Sequence, residues 1–330
     1  MHKLSIIIFL IFVNGFLIYF KFYVDKINSI DYNQNKVDFY FQGFFMLSKV
    51  LFPVVFTEET EQIIGCLAGL SKNGVKEILL FHVLSVSEEM NKFANEKYEE
   101  ELLFKWKKFL EEYNLKVDYK IITGIPWIEI VDLAEKGDFS FIIIGSHGSS
   151  FLDRVILGSV TERVVQHSKK PILIYKIKSK AEGEGLYCQD IFKKILYCTD
   201  FSHSSEKCIP YVESMLQNGN QKLIILHVQD LRNLRYTEPD KIDDFNKKDL
   251  ERLEELKKHF EKKGFKNVMT LLTTGYSITE ILNYAATENP TLIVIGKKGK
   301  TNLKEMLLGG VSQTLIHKST VPIFLVEDRD

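Results

Sequence analysis

The chain has 330 residues, which is enough for two domains that each bury a hydrophobic core. Its 43 Lys and Arg residues balance 44 Asp and Glu residues, so the net charge of −1 gives no electrostatic reason to expect a nucleic-acid partner. The four cysteines show neither metal-ligand spacing nor a disulfide framework, and we expect a reducing, cytoplasmic environment.

Residues 1–45 form an N-terminal extension that permits two interpretations. The stretch from Leu4 to Phe20 is almost wholly apolar, has lysines on both sides and, at 17 residues, is at the short limit for a membrane-spanning helix. Such a helix would anchor the protein on the cytosolic face of the inner membrane. Alternatively, the natural chain begins at Met46, because the preceding tract is rich in Phe, Ile, Asn, Tyr and Lys, as translated AT-rich noncoding DNA would be.

After Met46, aliphatic runs alternate with stretches of helical periodicity. We predict strands near 49–56, 77–84, 116–122, 140–145 and 171–177, and helices near 58–72, 88–113, 126–136 and 158–168. An apolar stripe marks the long second helix and its later counterpart, with the members Met90, Phe93, Ala94, Leu102, Trp106, Phe109 and Leu110, then Phe245, Leu250, Leu253, Leu256 and Phe260. We expect these side chains to lie in the core and not to contact a cofactor.

The same order of elements occurs a second time, at an offset of 145 residues that becomes 151 towards the end of each copy. The chain is therefore a tandem duplication, with one domain over 46–177, a linker over 178–189 and a second domain over 190–330. Strands that alternate with helices predict right-handed βαβ crossovers. We therefore expect two α/β domains, each with a parallel sheet covered on both faces.

A glycine pattern follows the fourth aliphatic run of each copy with identical nine-residue spacing: Gly145-x2-Gly148-x9-Gly158-Ser159 and Gly296-x2-Gly299-x9-Gly309-Gly310. Glycines allow backbone N–H groups to approach an anion closely, and the helix that follows offers its unpaired amides. The alternative is that they only make tight strand-to-helix turns. Because the pattern occurs twice with the same spacing, we favour a phosphate-binding loop.

These motifs together resemble the universal stress protein family in its tandem-domain form. The resemblance rests on the glycine pattern, the first strand ending in Asp200-Phe201-Ser202, the Leu-His-Val strand and the Gly-x-Pro before the third helix. It implies a doubly wound, five-stranded parallel sheet in the order 3-2-1-4-5 in each domain, with ATP, accompanied by Mg²⁺, bound where the order reverses. It also implies that the final strands of the two domains meet across a pseudo-twofold axis. A homodimer of two tandem chains is compatible with this layout.

The resemblance implies that specific residues bind the nucleotide. These are Pro53, Val83, Gly145, Gly148, Gly158 and Ser159 in the first copy and Asp200, Val228, Gly296, Gly299 and Gly309 in the second. Each copy departs from the family pattern once: Val55 stands where the family has a nucleotide-binding Asp, and Gly310 replaces the hydroxyl residue that ends the loop. The first loop is complete, so we expect the first copy to be the better site. Four lysines at 297, 298, 300 and 304 favour an anion at the second. Since each copy lacks a different element, we expect at most one tightly held nucleotide per chain.

We expect neither catalytic residues nor metal ligands, because the sequence contains no H-E-x-x-H, CxxC, G-x-S-x-G or G-x4-G-K-S/T motif. His82 and His227 occupy equivalent strand positions, and we expect them to be core histidines bonded to the backbone. His147 lies in the first glycine loop, either near a phosphate or exposed to solvent. The sequence thus favours a stress-response or regulatory protein that binds adenine nucleotide and acts on an unknown protein partner. A slow ATP or adenylate hydrolase and a nucleotide-free interaction scaffold remain as alternatives.

Overall fold

The computed structural model describes residues 8–13, 16–21, 46–85, 92–146, 157–176, 190–216, 220–234, 239–299 and 308–327. The chain divides into two units, Met1–Phe41 and Gln42–Asp330.

In the first unit, strands β1 (Ile8–Val13) and β2 (Phe16–Lys21) pair antiparallel, with Ile8 opposite Lys21. The expectation of a helical span between Leu4 and Phe20 is therefore wrong for the described residues. Both strands are rich in Ile, Phe, Val and Tyr, residue types that favour strands, and an Asn-Gly dipeptide, a hairpin signal, separates them in the sequence. Among the residues described, no helix is both long and apolar enough to cross a membrane.

The second unit contains both copies of the repeat. The elements of the first copy are β3 (Lys49–Pro53), α1 (Glu58–Leu67), a 3-10 helix (Ala68–Asn73), β4 (Glu77–Ser85), α2 (Lys92–Glu111), β5 (Lys116–Gly124), α3 (Pro126–Lys136), β6 (Phe141–Gly145), α4 (Ser159–His167) and β7 (Ile172–Tyr175). Those of the second copy are β8 (Lys194–Thr199), α5 (His203–Glu206), α6 (Ile209–Met215), β9 (Lys222–Asp230), α7 (Leu231–Leu234), α8 (Pro239–Lys262), β10 (Val268–Gly275), α9 (Ser277–Glu288), β11 (Leu292–Gly296), α10 (Gly310–Lys318) and β12 (Ile323–Val326).

The strands form one ten-stranded sheet in the order β10-β9-β8-β11-β12-β7-β6-β3-β4-β5. Within each copy the strands are parallel and follow the order 3-2-1-4-5, which confirms the predicted fold class. The two halves join through β7 and β12, which pair antiparallel with Phe324 opposite Leu173. The predicted meeting of the final strands is confirmed by this pairing.

Hydrophobic side chains cover both faces of the sheet, which is why the strands are continuous apolar runs. Successive strand residues alternate between two clusters: Leu51 packs on one face and Phe52 on the other. Each cluster contains residues of both copies, and the Phe141 and Phe324 rings, one from each copy, lie 5.6 Å apart. The two domains therefore share one core.

The apolar stripes of the long helices are confirmed only in part. Trp106 and Leu110 of α2 and Leu253 and Phe260 of α8 are buried, and Leu102, Phe109 and Leu256 are partly buried. Met90 and the side chains of Phe93 and Ala94 lie outside the described residues.

Phe245 and Leu250 were wrongly predicted to lie in the core, since they are 40% and 53% exposed. At 100° per residue, Leu250 lies about 100° from the centre of the buried face of α8. Phe245 is on that face, but 24 helical residues span about 36 Å, while the eight residues of β10 span about 26 Å. The first turns of α8 therefore extend past the carboxyl ends of the strands.

The cysteines also depart from expectation. Cys66 is disulfide-bonded, which contradicts the prediction of unbridged cysteines, whereas Cys198 and Cys208 are free and buried. Burial raises the pKa of the Cys198 thiol to about 12, so this group stays neutral and unreactive at ordinary pH. Cys188 lies outside the described residues.

A buried lysine at the junction of the copies makes stability depend on pH. Lys176, just after β7, donates from Nζ to the carbonyl of Ile316 in α10, and burial lowers its pKa to about 8 from the usual 10.5. Between pH 8 and pH 10.5 the unfolded chain binds more protons at this residue than the folded chain does, so its contribution to stability rises with pH. The contribution is fully present above the unfolded pKa and is lost as pH falls through about 8.

We expect Lys176→Met to remove this dependence. As pH rises from 8 to 10, the free energy of unfolding of the wild type should increase relative to that of the variant by at most about 1.4 kcal/mol per pH unit. Urea unfolding at several pH values measures this difference. Lys136→Met is the control, because it removes the charge of an exposed lysine and leaves the buried Lys176 in place. Parallel curves for the wild type and Lys176→Met would contradict the argument.

Candidate functional site

A cavity of about 560 Å³ lies at the carboxyl ends of β8, β9 and β11, where the strand order of the second copy reverses. Open parallel sheets bind ligands in such a crevice. One end is bounded by the second glycine loop and the start of α10, and the other by the ends of β9 and α8. Its lining residues include Cys198, Thr199, Asp200, Leu226, His227, Val228, Asp230, Arg232, Phe245, Asp249, Ile281, Ile295, Gly296, Lys298, Gly299, Gly309, Gly310 and Ser312.

A tight turn after β8 places Asp200 in this cavity. Phe201 has a φ of +56°, a left-handed conformation that is unfavourable for a bulky residue. It is held there because its N–H donates to Thr199 Oγ1 at 3.0 Å and its ring packs 4.5 Å from the His227 ring. Asp200 Oδ1 accepts a hydrogen bond from the Ser202 N–H at 3.0 Å. The carboxylate is therefore fixed in direction.

The glycines of the second loop are required by close approaches. A Cβ on Gly296 would lie 2.8 and 2.9 Å from the backbone C and O of Ser204, and one on Gly299 would lie 2.9 Å from Asp200 Oδ2. A Cβ on Gly309 would lie 3.2 Å from the carbonyl oxygen of Lys297. At Gly310 a Cβ would meet nothing within 4 Å. Gly296 thus needs glycine, a side chain at Gly299 or Gly309 would require its neighbour to shift, and Gly310 has room for a side chain.

The start of α10 is suited to an anion. Its N-cap is Gly309, which has no side chain to accept hydrogen bonds from the first-turn amides, and the first turn contains no acidic residue. Ser312 Oγ donates to the Gly296 carbonyl at 2.8 Å and so joins the helix to the end of β11. Lys298 also lines this end of the cavity.

At the opposite end, Asp230 organises the chain after β9. Arg232 donates to it from Nε at 2.8 Å and from Nη2 at 2.7 Å, and Ser277 Oγ donates to it at 2.7 Å. The Arg232 guanidinium and the Ser277 hydroxyl hold the pKa of this carboxyl well below its usual range, against the effect of burial. The pair therefore keeps a fixed guanidinium at the rim of the cavity.

Both predicted core histidines bond to the backbone as expected. His82 Nδ1 lies 2.9 Å from the Val54 carbonyl oxygen, and His227 Nδ1 lies 2.7 Å from that of Thr199. Each ring also approaches a carboxylate of the long helix, with His227 Nε2 3.4 Å from Asp249 Oδ2. Asp249 accepts a further hydrogen bond from Gln229 Nε2 at 2.9 Å. In the portion of the chain that is described, no cluster of three or more His, Cys, Asp or Glu could hold a metal ion.

The first copy is described only in part, because Gly148 and His147, like Lys300 and Lys304 of the second copy, lie outside the described residues. Gly158 is the N-cap of α4, Ser159 is its first residue, and Thr161 Oγ1 donates to the Gly145 carbonyl at 2.9 Å, as Ser312 does to Gly296. Pro53 ends β3 and Val83 is buried in β4.

Two acidic residues distinguish the first copy. Glu59 stands where the second copy has Ser204, the residue whose Oγ accepts from the Lys298 N–H at 3.3 Å. It is buried in α1, and burial raises its pKa although Thr57 donates to it. Glu162 lies in the first turn of α4. Val55, in place of Asp200, is 48% exposed.

Sequence reasoning missed the residues that close the end of the cavity opposite the glycine loop, namely Gln229, Asp230, Arg232, Asp249, Phe245 and Ser277. The position of Asp230 at the end of a buried strand was a usable signal, since such ends meet at the ligand-binding edge of the sheet. Asp249 and Phe245 gave none, because a helix that extends past the sheet is not visible in a periodic pattern.

The contrast between Gly296 and Gly310 is testable by stability. We expect Gly296→Ala to lower the free energy of unfolding by about 1–3 kcal/mol, because its Cβ would overlap the backbone of Ser204. Gly310→Ala, in open space at a helical position, should leave stability unchanged or raise it by about 0.4–1 kcal/mol. Chemical unfolding measures both, and equal losses in the two variants would refute the close approach at Gly296.

Comparison with known proteins agrees with this architecture. A domain described as the universal stress protein family matches residues 46–176 and 191–327. The universal stress protein MJ0577 of Methanocaldococcus jannaschii is 34% identical over 158 residues, covering 41% of this chain and 98% of that protein. The universal stress protein YxiE of Bacillus subtilis is 32% identical over 148 residues, covering 41% of this chain and 99% of that protein.

A solved structure extends the likeness to both copies together. The crystal structure of a universal stress protein from Archaeoglobus fulgidus superposes with a TM-score of 0.68 at 25% identity, covering 87% of this chain and 99% of that one. The two family matches span most of the sequence, one on each copy of the repeat. The chain therefore belongs to the universal stress protein family, with two such domains in tandem.

Proposed function

We propose that the cavity of the second copy binds adenine nucleotide, with ATP as the main ligand and Mg²⁺ accompanying its phosphates, and that the bound nucleotide regulates contact with a protein partner. One observation carries the proposal: the cavity of about 560 Å³ joins a glycine loop and a free helix N-terminus at one end to apolar walls at the other. Ligand pockets of this size hold molecules as large as nucleotides.

The phosphates belong at the glycine end. Gly296, Gly299 and Gly309 all lie where a Cβ would meet close neighbours, and backbone without side chains allows amides to approach an anion. The dipole of α10 and the charge of Lys298 both favour negative charge at this end. Asp200 lines the cavity beside Gly299, where its Oδ2 could accept from the hydroxyls of a ribose.

The nucleoside belongs at the apolar end. Leu226, Val228, Ile281 and Ile295 line the cavity there, and Phe245 extends over it from α8. Such walls remove the faces of a base from water at a gain of about 25 cal/mol per Å² of apolar surface. The ionic pair of Asp230 and Arg232 bounds the pocket beyond them.

The second copy is the better candidate, although the complete loop motif favoured the first. Phosphates near α4 would meet the carboxylate of Glu162 in its first turn, whereas the first turn of α10 contains no acid. Glu59 brings a second acid, which is buried, where the second copy has a serine hydroxyl. A missing hydroxyl at Gly310 is a smaller defect than two carboxylates beside a phosphate.

We further propose binding with negligible turnover. The three carboxylates that line the cavity each have a binding or structural partner: Asp230 accepts from Arg232 and Ser277, Asp249 accepts from Gln229, and Asp200 accepts from Ser202 at Oδ1 and, in this proposal, from the ribose at Oδ2. A general base needs a carboxylate oxygen that can reach a substrate water. A ligand that stays bound can bias a partner-binding state by its differential affinity for that state.

The first test of this function measures how many ATP molecules each chain binds and whether the bound ATP is hydrolysed. Calorimetric titration of the purified chain with ATP and Mg²⁺ should give one tight site per chain, and phosphate release should stay below one turnover over several hours. Two equivalent tight sites would refute the distinction between the copies. Multiple turnovers would favour the hydrolase, and no binding of ATP, ADP or adenosine would favour the scaffold.

The second test identifies the copy that binds. Gly310→Ser restores the hydroxyl that the loop lacks in a position with room for it, and should strengthen ATP binding by on the order of 1 kcal/mol, about fivefold in Kd. The reverse change at the equivalent position, Ser159→Gly, should leave Kd within twofold. If Ser159→Gly weakens binding and Gly310→Ser does not strengthen it, the nucleotide site is in the first copy.

A further inference from the structure

Lys297 closes the second glycine loop with its backbone. It follows Gly296 directly, and its N–H donates to the Val326 carbonyl at 2.7 Å. Its own carbonyl oxygen accepts from the N–H of Gly309, the N-cap of α10, at 2.9 Å. The position of Lys297 therefore sets how the end of β11 and the start of α10 face each other across the loop.

The side chain of Lys297 leaves its own copy. Nζ donates to the carbonyl oxygens of Gln166 and Ser168, each at 3.0 Å, at the carboxyl end of α4 in the first copy. It also forms an ion pair with Glu327. The residue is only 3% exposed, and these three acceptors match the three donors of an ammonium group. A lysine in a solvated loop would be exposed and would make no such set of bonds.

These contacts resist displacement of the loop. The carboxyl end of a helix carries partial negative charge on its unpaired carbonyls, so a cation is favourable there. Withdrawing Nζ would leave a buried ammonium without acceptors, which is costly, and would leave the nearly buried Glu327 carboxylate with only the longer ion pair to Lys298 at 3.8 Å. The first copy thus fixes the place of Lys297, and Lys297 fixes the place of the loop.

The first copy lacks the same device at the equivalent position. Ser146 repeats the backbone bonds, since its N–H donates to the Tyr175 carbonyl at 3.0 Å and its carbonyl accepts from Gly158 at 3.1 Å. A serine side chain is too short to reach the neighbouring copy. The loop backbone is therefore duplicated, while the lysine contact belongs to the second copy.

We propose that Lys297 is a positioning residue of the phosphate loop and that the nucleotide site of the second copy is completed by the carboxyl end of α4 from the first. This inference rests on the proposed function, because it concerns the same loop. Its effect should fall mainly on phosphate binding: the loop contacts the phosphates, and the walls that would hold the nucleoside lie on β9, α8 and α9, with Ile295 of β11.

The test uses the full chain and the variant Lys297→Met. We expect Kd for ATP to rise at least tenfold while Kd for adenosine changes less than twofold. Lys194→Met is the matched control: it removes a partly buried lysine of the same copy that donates to Glu288 at 2.9 Å, at the opposite end of β8. The control should leave both affinities within twofold. Equal effects of Lys297→Met on ATP and adenosine would show a general structural role and overturn the proposal.

Hydrogen exchange tests the contact without any nucleotide. In Lys297→Met the amides of residues 297–299 and 308–310 should exchange at least tenfold faster than in the wild type and in Lys194→Met. Exchange rates equal to those of the control would overturn the proposal. If the wild type binds no nucleotide but these amides exchange faster in Lys297→Met, the proposed function fails and the positioning role stands.

The double variant Lys297→Met/Glu327→Gln separates positioning from charge. Removing the lysine alone leaves the Glu327 carboxylate near the loop, where it could repel phosphate without any movement. The double variant carries neither charge and should still show weak ATP binding and fast exchange. If the ATP affinity and the exchange rates of the double variant both return to wild-type values, the proposal is overturned. This variant also serves if Lys297→Met does not fold.

Discussion

The antiparallel pairing of β7 with β12 is the constraint on which the rest of the second unit depends. Both strands are fully buried and almost wholly apolar, so each copy alone would expose an apolar sheet edge. Joining the edges antiparallel reverses the direction of one half of the sheet. The carboxyl edge of the second copy therefore lies at the same edge of the ten-stranded sheet as the amino edge of the first.

This reversal explains the contacts between the copies. A helix that follows a parallel strand runs back towards the amino edge, so α4 ends where the second glycine loop begins, and α10 ends near the carboxyl end of β7. Lys297 and Lys176 bond to those two helix ends. They come from different positions of the repeat, since Lys176 corresponds to Glu327 and Lys297 to Ser146. The antiparallel join thus favours a cation at the carboxyl end of each of the two helices, and the two copies supply it from non-equivalent positions of the repeat.

The sequence was sufficient for the fold because that fold is encoded locally. Strands buried on both faces appear as unbroken aliphatic runs, such as Phe141 to Ile144, and the glycine pattern at Gly296 records close approaches within a few residues. Interactions between distant segments left no such signal. Asp249 reaches the cavity because α8 extends past the end of β10. Lys297 cannot be distinguished in the sequence from the other lysines of its loop, because its partners lie on α4 of the other copy. Residues 8–21 were misread because their apolar composition outweighed an Asn-Gly hairpin signal.

The contact between Lys297 and α4 also links ligand binding to the junction of the copies. If that contact holds the phosphate loop in its binding geometry, then nucleotide on the loop must stabilise the contact by the same free energy, since coupling between two equilibria is reciprocal. The amino end of α4 begins at the first glycine loop, with Gly158 as its N-cap. One helix therefore has the second glycine loop at its carboxyl end and the first glycine loop at its amino end. Under the proposed assignment, the first copy, which has Glu59 and Glu162, would still respond through α4 to a nucleotide held by the second.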